Sequence, residues 1–267
     1  MTTADVGVFG GSGFYAFLDD VEEQPVSTAY GDPSAPLLIG TVAGVRVAFI
    51  ARHGLRHQFP PHSVNYRANV DAMRSVGVRA LLGPFAAGSL QPHIRPGDFV
   101  VVDQLVDRTS GRADTFYDTF ADGPMHVSLA DPYDEHLRTA LVTAAHERNI
   151  TVHDRGTVVV TQGPRFSTRA ESAWFRGQGW DIIGMTQYPE AALAREAAAA
   201  FSQALGSARY TLISAPARAS DDACPTASAS ALSWRVGGRV GCSPCPRAIH
   251  SRNVLALIPI DRAATHG

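Results

Sequence analysis

The chain has 267 residues and a formal net charge of -2, and 45% of its residues are hydrophobic. This composition is typical of a soluble globular protein with one large α/β core or two small ones. All 23 Lys and Arg side chains are arginine, so the Gly-Lys-Ser/Thr loop of phosphate-loop NTPases is excluded. The arginines are interleaved with acids, which argues against nucleic-acid binding. With no membrane-length apolar run and no basic segment typical of a signal peptide at its start, we expect a cytoplasmic protein without membrane partners.

The first predicted element is a strand that ends in a glycine-rich turn. Val6, Val8 and Phe9 indicate a buried strand, and Gly10-Gly11-Ser12-Gly13 follows it. Such a turn lets the backbone approach a ligand closely, and the Ser12 hydroxyl can donate to an anion. A tight turn without a ligand fits this stretch equally well. The loop lacks G-x-G-x-x-G spacing and is followed by strands, which disfavours a dinucleotide-binding fold.

Strands and helices then alternate along the chain. The stretch around Ala43-Gly44 predicts a hairpin, and apolar spacing predicts helices over 64–76 and 134–148. Residues 79–90, RALLGPFAAGSL, predict a short buried strand running into a loop at 86–89. Further strands are predicted in FVVVDQLVD, which follows Gly97-Asp98, and over 156–161, and Pro189-Glu190 marks a helix start.

Loops rich in Gly, Ser, Thr, Arg or His follow these strands. Open α/β sheets bind ligands beyond the carboxyl ends of their strands, so we expect the loops to bring together Ser12, Arg52, His53, Ser89 and Thr186. The guanidinium of Arg52 can bind an oxyanion through two parallel hydrogen bonds, and an anion beside Thr186 would lie at the positive end of a helix. The pattern predicts an oxyanion site. The alternative is a set of separate surface loops with solvated Arg52 and His53.

The late cysteines do not predict a metal site. Cys242 and Cys245 with His250 nearby have the spacing of half a zinc site, but a second ligand pair at matching spacing is missing. We therefore assign no metal and no cofactor.

Several motifs in combination resemble a known family. Residues 6 to about 196 resemble the purine nucleoside phosphorylases, and within them the 5'-methylthioadenosine phosphorylase branch, through GGSGFY, ARHGLRHQFPPHSVNYRAN, AAGSL, RPGDFVVVDQLVDRT with FYD, TQGPRFSTRAES and DIIGMTQYPEAALARE. The resemblance implies a three-layer α/β/α fold around a mixed, partly barrel-like sheet, assembled as a homotrimer. It also implies phosphorolysis of a purine nucleoside, in which inorganic phosphate is a co-substrate.

The resemblance also implies roles for individual residues. Phosphate-binding positions match Ser12, Arg52, His53 and Thr186, and Ala86 lies beside ribose and phosphate. Phe166 matches the ring packed against the purine, and Met185 matches a ribose-binding methionine. His126 matches a histidine that a neighbouring subunit contributes to the 5' pocket. Core packing is the alternative for Phe166 and Met185.

Two departures from the family pattern affect the expected site. Phe85 replaces a small hydroxyl residue and could crowd the ribose. Residues 205–267 lack the strand ending in Thr-Asp-x-Asp and the closing helices, so we expect a phosphorylase domain over 1–204 followed by an atypical segment. The amino-acid composition of residues 205–267 suggests a frameshift. Asp221 and Asp222 are poor substitutes for the missing acids, so the acid that acts at purine N7 is unknown. The substrate expected is S-methyl-5'-thioadenosine; the alternatives are a 6-oxopurine nucleoside or methylthioinosine, or an inactive phosphate-binding protein.

Overall fold

The computed structural model describes residues 3–10, 21–121, 123–205, 209–210 and 214–216. In this part of the chain the helices are α1 (Tyr66–Ser75), α2 (Glu135–Glu147), α3 (Arg169–Gly177) and α4 (Gln187–Leu205), with a short 3-10 helix at Pro61–Ser63. The strands are β1 (Val6–Gly10), β2 (Glu22–Gln24), β3 (Leu37–Val42), β4 (Val45–Ala51), β5 (Ala80–Leu82), β6 (Phe85–Ser89), β7 (Phe99–Val100), β8 (Gln104–Arg108), β9 (Val152–His153), β10 (Thr157–Thr161), β11 (Ile182–Gly184), β12 (Arg209–Tyr210) and β13 (Ser214–Pro216).

The strands form two mixed sheets. In the first, the order is β12-β5-β1-β4-β3-β2, and β1 runs parallel to both β4 and β5. In the second, the order is β8-β10-β11-β6-β13-β7-β9, and β10 runs parallel to β8 and β11. The predicted α/β fold is confirmed, and within the described residues neither sheet closes into a barrel.

The core lies where the central strands meet the helices. Phe9, Ile50 and Leu81 on β1, β4 and β5 are fully buried, as their apolar sequence runs predicted. Helix α1 begins where the Asn65 side chain accepts a hydrogen bond from the Ala68 N–H at 3.2 Å, and it ends just before Gly77. Both α1 and α2 lie within the stretches that the periodicity predicted.

Two stretches fold differently from the sequence prediction. FVVVDQLVD forms two strands, β7 and β8, which lie at distant positions of the second sheet. Between them, the Asp103 carboxylate accepts a hydrogen bond from the Gly156 N–H at 3.0 Å. Residues 86–89 belong to strand β6 instead of a loop, because their backbone pairs with β11 on one side and β13 on the other.

Helix α4 has an irregular start that bears on the site. Tyr188 is extended, with φ -118° and ψ 130°, so the continuous helix begins at Pro189 as the sequence predicted. Within the described ranges, no helix combines the length and the apolar character needed to cross a membrane.

Candidate active site

The carboxyl ends of three parallel strands meet at Arg52. Gly10 of β1 is in register with Ala51 of β4, and the Arg52 N–H donates to the Gly10 carbonyl at 3.0 Å. On the other side of β1, β5 leads into Pro84, whose carbonyl accepts a 3.0 Å hydrogen bond from Arg52 Nη1. Strand β1 therefore ends beside Arg52. Ser12 itself lies outside the described residues.

The guanidinium of Arg52 is buried and paired with Glu190. Arg52 Nη2 donates to Glu190 Oε2 at 3.0 Å, and Nε donates to Glu190 Oε1. Only 1% of each side chain is exposed, so Arg52 is not the solvated surface residue of the alternative reading. Burial raises the pKa of Glu190, while the neighbouring charge of Arg52 acts against that rise. The hydrogen-bonding fork of Arg52 faces Glu190, and its contact with phosphate stays a prediction.

Thr186 carries a buried hydroxyl in the turn between β11 and α4. The side chain is 5% exposed, and among the described residues no group hydrogen-bonds to its Oγ1. The turn is held against the end of β5, because Gln187 Nε2 donates to the Gly83 carbonyl at 3.2 Å. An unpaired buried hydroxyl costs about 1–3 kcal/mol, so an external acceptor here would be stabilising. The start of α4 adds a positive dipole end to the same place.

His53 is buried beside Arg52 and is neutral near pH 7. Its Nδ1 lies 2.8 Å from the Phe59 carbonyl, and because a carbonyl only accepts, Nδ1 carries the proton. Burial and the adjacent Arg52 charge lower the pKa of His53 to about 4. In this tautomer Nε2 is an acceptor. His53 therefore suits a protonated phosphate oxygen or a sugar hydroxyl better than a bare oxyanion.

Met185 directly precedes Thr186, and the loop that follows β10 lies beside Met185. A side chain placed on Gly163 would come within 2.7 Å of Met185 Sδ and 3.4 Å of Pro61 Cγ, so three loops approach each other here. Phe166 is on the same loop as Gly163 and is 84% exposed. Core packing is therefore excluded for Phe166, and its role against a purine stays a prediction.

Strand β6 places Ala86 and Ser89 at opposite ends of β11. Because β6 runs antiparallel to β11, Gly88 pairs with Ile183 and Ser89 pairs with Ile182. The same register, continued, brings Ala86 beside Met185. Ser89 lies at the amino end of β11 and its Oγ donates to the Gln91 carbonyl at 2.7 Å. The expectation that Ser89 joins the oxyanion site is therefore wrong.

Phe85 does not occupy the face that carries Ala86. Side chains alternate along β6, so Phe85 is buried whereas Ala86 is exposed. The ring of Phe85 packs over Gly184, where an added side-chain carbon would lie 2.6 Å from Phe85 Cε2. The phenyl ring fills the core on the face opposite Ala86, which argues against crowding of a ribose placed beside Ala86.

Comparison with known proteins identifies the family of this chain. A sequence model described as the phosphorylase superfamily matches residues 5–215. The chain belongs to this family. It is 56% identical over 199 residues to a purine nucleoside phosphorylase of Streptomyces coelicolor, covering 72% of this chain and 71% of that protein. It is 55% identical over 192 residues to an S-methyl-5'-thioadenosine phosphorylase of Mycolicibacterium smegmatis, with 72% and 71% coverage.

The fold of this phosphorylase-superfamily member also matches solved structures. The methylthioadenosine phosphorylase from Schistosoma mansoni in complex with adenine aligns with a TM-score of 0.79 at 32% identity, covering 96% of this chain and 91% of that chain. In another crystal structure of that protein with adenine, the TM-score is 0.72 at 37% identity, with 80% and 82% coverage. The resemblance stated from the motifs is confirmed.

The remaining residues considered from the sequence lie apart from the strand ends or outside the described residues. His126 is exposed, and its ring contacts Phe120 edge-on at 5.5 Å between centroids, so its role would require a neighbouring subunit. Asp221 and Asp222 lie outside the described residues, as do Cys242, Cys245 and His250.

Sequence reasoning missed two residues of this superfamily member's site. Glu190 was used only as a helix-start signal, yet an acid among Ala and Leu in PEAALARE could have indicated a buried partner for arginine. Arg112 lies in a polar loop, SGRADT, that gives no comparable signal. Its contacts become visible only in the fold.

Proposed function

We propose that this chain catalyses phosphorolysis of a purine nucleoside, with S-methyl-5'-thioadenosine as substrate. The products would be adenine and 5-methylthioribose 1-phosphate. Relatives that cover most of the chain at 50–55% identity carry the name of that enzyme, which supports the choice of substrate. The observation that carries the proposal is the hydroxyl of Thr186, which is buried beside the ends of the parallel strands and has no hydrogen-bond partner among the described residues.

In the proposed mechanism, phosphate is bound below the anomeric carbon C1'. The Thr186 hydroxyl donates to one phosphate oxygen, the start of α4 adds its positive end, and neutral His53 accepts from a protonated phosphate oxygen or a ribose hydroxyl. The buried Arg52 supplies positive charge at the same strand ends, balanced by Glu190. The site therefore offers a mixed set of donors and one acceptor, which matches a partly protonated phosphate.

The proposed chemistry needs no covalent enzyme intermediate. As the bond from C1' to purine N9 breaks, its electron pair leaves with the base and C1' becomes oxocarbenium-like. A phosphate oxygen then forms the new bond to C1', and the purine takes a proton at N7. Holding the two reactants together is worth up to about 7–11 kcal/mol of the barrier. The acid at N7 is unassigned in this proposal.

The nucleoside half of the proposed site uses the loops next to Thr186. Met185 and Ala86 would contact the ribose, and the exposed ring of Phe166 would cover the purine. His126 would reach the 5' group of a neighbouring subunit, which requires a homotrimer. Light scattering on the purified chain tests that assembly, and a monomer would remove His126 from the site.

A 6-oxopurine nucleoside or methylthioinosine is the second candidate substrate. A relative named purine nucleoside phosphorylase is 56% identical to this chain, which keeps this candidate open. The acids expected to select the base fall in residues 205–267, where the motif is missing. The preference for one purine base over another therefore has to be measured.

The deciding experiment incubates the full-length protein with each nucleoside, with and without phosphate, and follows the free base by chromatography. The substrates are S-methyl-5'-thioadenosine, methylthioinosine and inosine. We expect adenine release from the first that depends on phosphate. Release without phosphate would indicate hydrolysis, and no release from any substrate would indicate an inactive phosphate-binding protein. Either result rejects the proposed function.

A further inference from the structure

Arg112 lies in the loop between β8 and α2 and contacts three other parts of the site. Its Nη1 donates to the Met185 carbonyl at 2.9 Å and also to the Tyr188 carbonyl. Its Nη2 donates to the Gln162 carbonyl at 3.0 Å, on the loop that carries Phe166. The guanidinium also lies over the ring of Tyr66, 5.4 Å from its centroid. One side chain therefore joins the turns after β10 and β11 to helix α1.

The two carbonyls that Nη1 contacts stand on either side of Thr186. They belong to a stretch with an irregular backbone, in which Tyr188 is extended before the continuous helix begins. A planar guanidinium satisfies several fixed acceptors at once, whereas an ammonium group is a single point charge. Arg112 thereby fixes the backbone from Met185 to Tyr188, on which the direction of the Thr186 hydroxyl depends.

The loop that carries Arg112 is itself held against α4. Tyr188 Oη donates to Asp114 Oδ2 at 2.6 Å. The Thr115 hydroxyl and the Phe116 N–H donate to the Glu196 carboxylate at 2.8 Å and 2.7 Å. These contacts hold the Arg112 loop against α4 at two points, at Tyr188 near its start and at Glu196 further along it. A displaced Arg112 loop would therefore carry the turn with it.

We propose that Arg112 is a positioning residue, which sets the Thr186 hydroxyl and the Met185 side chain and thereby the affinity for phosphate without touching phosphate. The proposal rests on the proposed function for its substrate. The role of Arg112 is distinct from those of Arg52 and His53, since Arg112 acts through backbone carbonyls. The guanidinium is the required group, so lysine is not an adequate replacement.

Arg138 provides a matched control at the other end of the second sheet. It is 4% exposed and donates to the Val102 carbonyl at 3.0 Å and to the Asp154 carbonyl, near the amino ends of β8 and β10. Both R112A and R138A remove an arginine that serves backbone acceptors. Both variants are expected to lower the unfolding midpoint, so stability alone does not separate them.

The kinetic test uses full-length R112A, R112K and R138A with saturating nucleoside. We expect the KM for phosphate to rise at least tenfold in R112A and R112K, and to stay within twofold in R138A. Millimolar guanidinium should restore R112A at least threefold and leave R138A unchanged. Equal phosphate KM values in R112A and R138A, or full activity in R112K, would overturn the proposal.

A second measurement is independent of activity. Hydrogen exchange of the peptide spanning 182–190 is followed with and without phosphate in the wild type, R112A and R138A. We expect exchange at least tenfold faster in R112A, with no slowing by phosphate, and unchanged exchange in R138A. If the wild type releases no base, the proposed function fails while this comparison still decides on Arg112. Identical exchange in R112A and the wild type rejects its positioning role.

Discussion

Arg52 Nη2 lies 3.0 Å from Glu190 Oε2 in an ion pair of which only 1% of each side chain is exposed. Arg52 follows β4, whereas Glu190 lies in the first turn of α4, 138 residues later. The pair therefore connects the carboxyl ends of the first sheet to the helix start beside Thr186. Burying an ion pair brings a desolvation cost comparable with the attraction it gains, so its value here lies in placing the two segments.

Removing one partner of this pair should strongly destabilise the protein. We expect E190A to lower the free energy of unfolding by about 3–5 kcal/mol, because it leaves the Arg52 charge buried and uncompensated. Urea unfolding of the full chain measures the change. The control is D118A, which breaks the pair of Arg67 with an Asp118 that is 72% exposed, and it should cost under about 1 kcal/mol. Similar losses in both variants would contradict the prediction.

Replacing both charges separates stability from phosphate binding. We expect R52M/E190L to be more stable than E190A, because apolar groups of similar volume leave no unpaired charge. Phosphate should no longer raise its unfolding midpoint. A double variant that keeps the phosphate effect would remove Arg52 from the proposed site.

The buried hydroxyl of Thr186 predicts opposite effects on stability and on binding. We expect T186V to unfold without phosphate at a free energy equal to the wild type or about 1 kcal/mol higher, because valine has the same shape and no unpaired hydroxyl. Phosphate at 100 times its Kd stabilises a binding protein by about 2.7 kcal/mol, and T186V should lose that gain. Denaturant unfolding with and without phosphate measures both.

The matched control for this position is T186S, which keeps the hydroxyl. It should retain most of the phosphate effect. If T186V unfolds at a free energy more than about 1 kcal/mol lower in the absence of phosphate, the hydroxyl serves a structural partner and the interpretation is wrong.

His53 should make stability depend on pH below neutrality. Its pKa is about 4 in the folded protein, lowered by burial and by Arg52, whereas an unperturbed histidine has a pKa near 6.5. Between these values the unfolded chain binds a proton that the folded protein does not. Stability should therefore fall as the pH falls through this window, by up to about 3 kcal/mol.

The measurement compares wild type and H53N from pH 7 to pH 4. An asparagine amide can still donate to the Phe59 carbonyl, so the local hydrogen bond is kept. Titrating groups that do not interact with His53 are present in both proteins and cancel in the difference. A difference that does not change with pH would show that His53 titrates normally in the folded state.

Local signals in the sequence predicted much of the fold. Apolar spacing placed α1 and α2, and the apolar runs placed the buried strands β1, β4 and β10. They failed where small residues form a strand. Ala86 and Ala87 have low strand propensity, and only pairing with β11 and β13 makes that stretch β6.

The site was predictable only in part, for a related reason. Arg52 and Thr186 were found because they follow strands, and strand ends are where such sheets bind ligands. Glu190 and Arg112 could not be assigned in this way. Arg52 meets Glu190 across 138 residues, and Arg112 meets Met185 across 73. Such contacts depend on tertiary packing, on which the local sequence carries little information.

Two glycines with positive φ allow a controlled test of the nucleoside side. Gly163 has φ +62°, and Gly44 in the hairpin between β3 and β4 has φ +86°, so alanine is strained at both, by about 1–2 kcal/mol. An added carbon meets nothing within 4 Å at Gly44, whereas at Gly163 it comes within 2.7 Å of Met185 Sδ. The difference between G163A and G44A therefore isolates the displacement of Met185.

We expect G163A to raise the KM for nucleoside at least fivefold, and G44A to leave it within twofold. Both should lose stability, G163A by more, because Met185 or Pro61 must shift as well as the backbone. Steady-state kinetics at saturating phosphate and urea unfolding give the two values. In an M185A background the extra loss of G163A should disappear, since the sulfur it displaces is gone. If the extra loss persists there, Met185 is not the group displaced, and its predicted place beside the ribose loses its support.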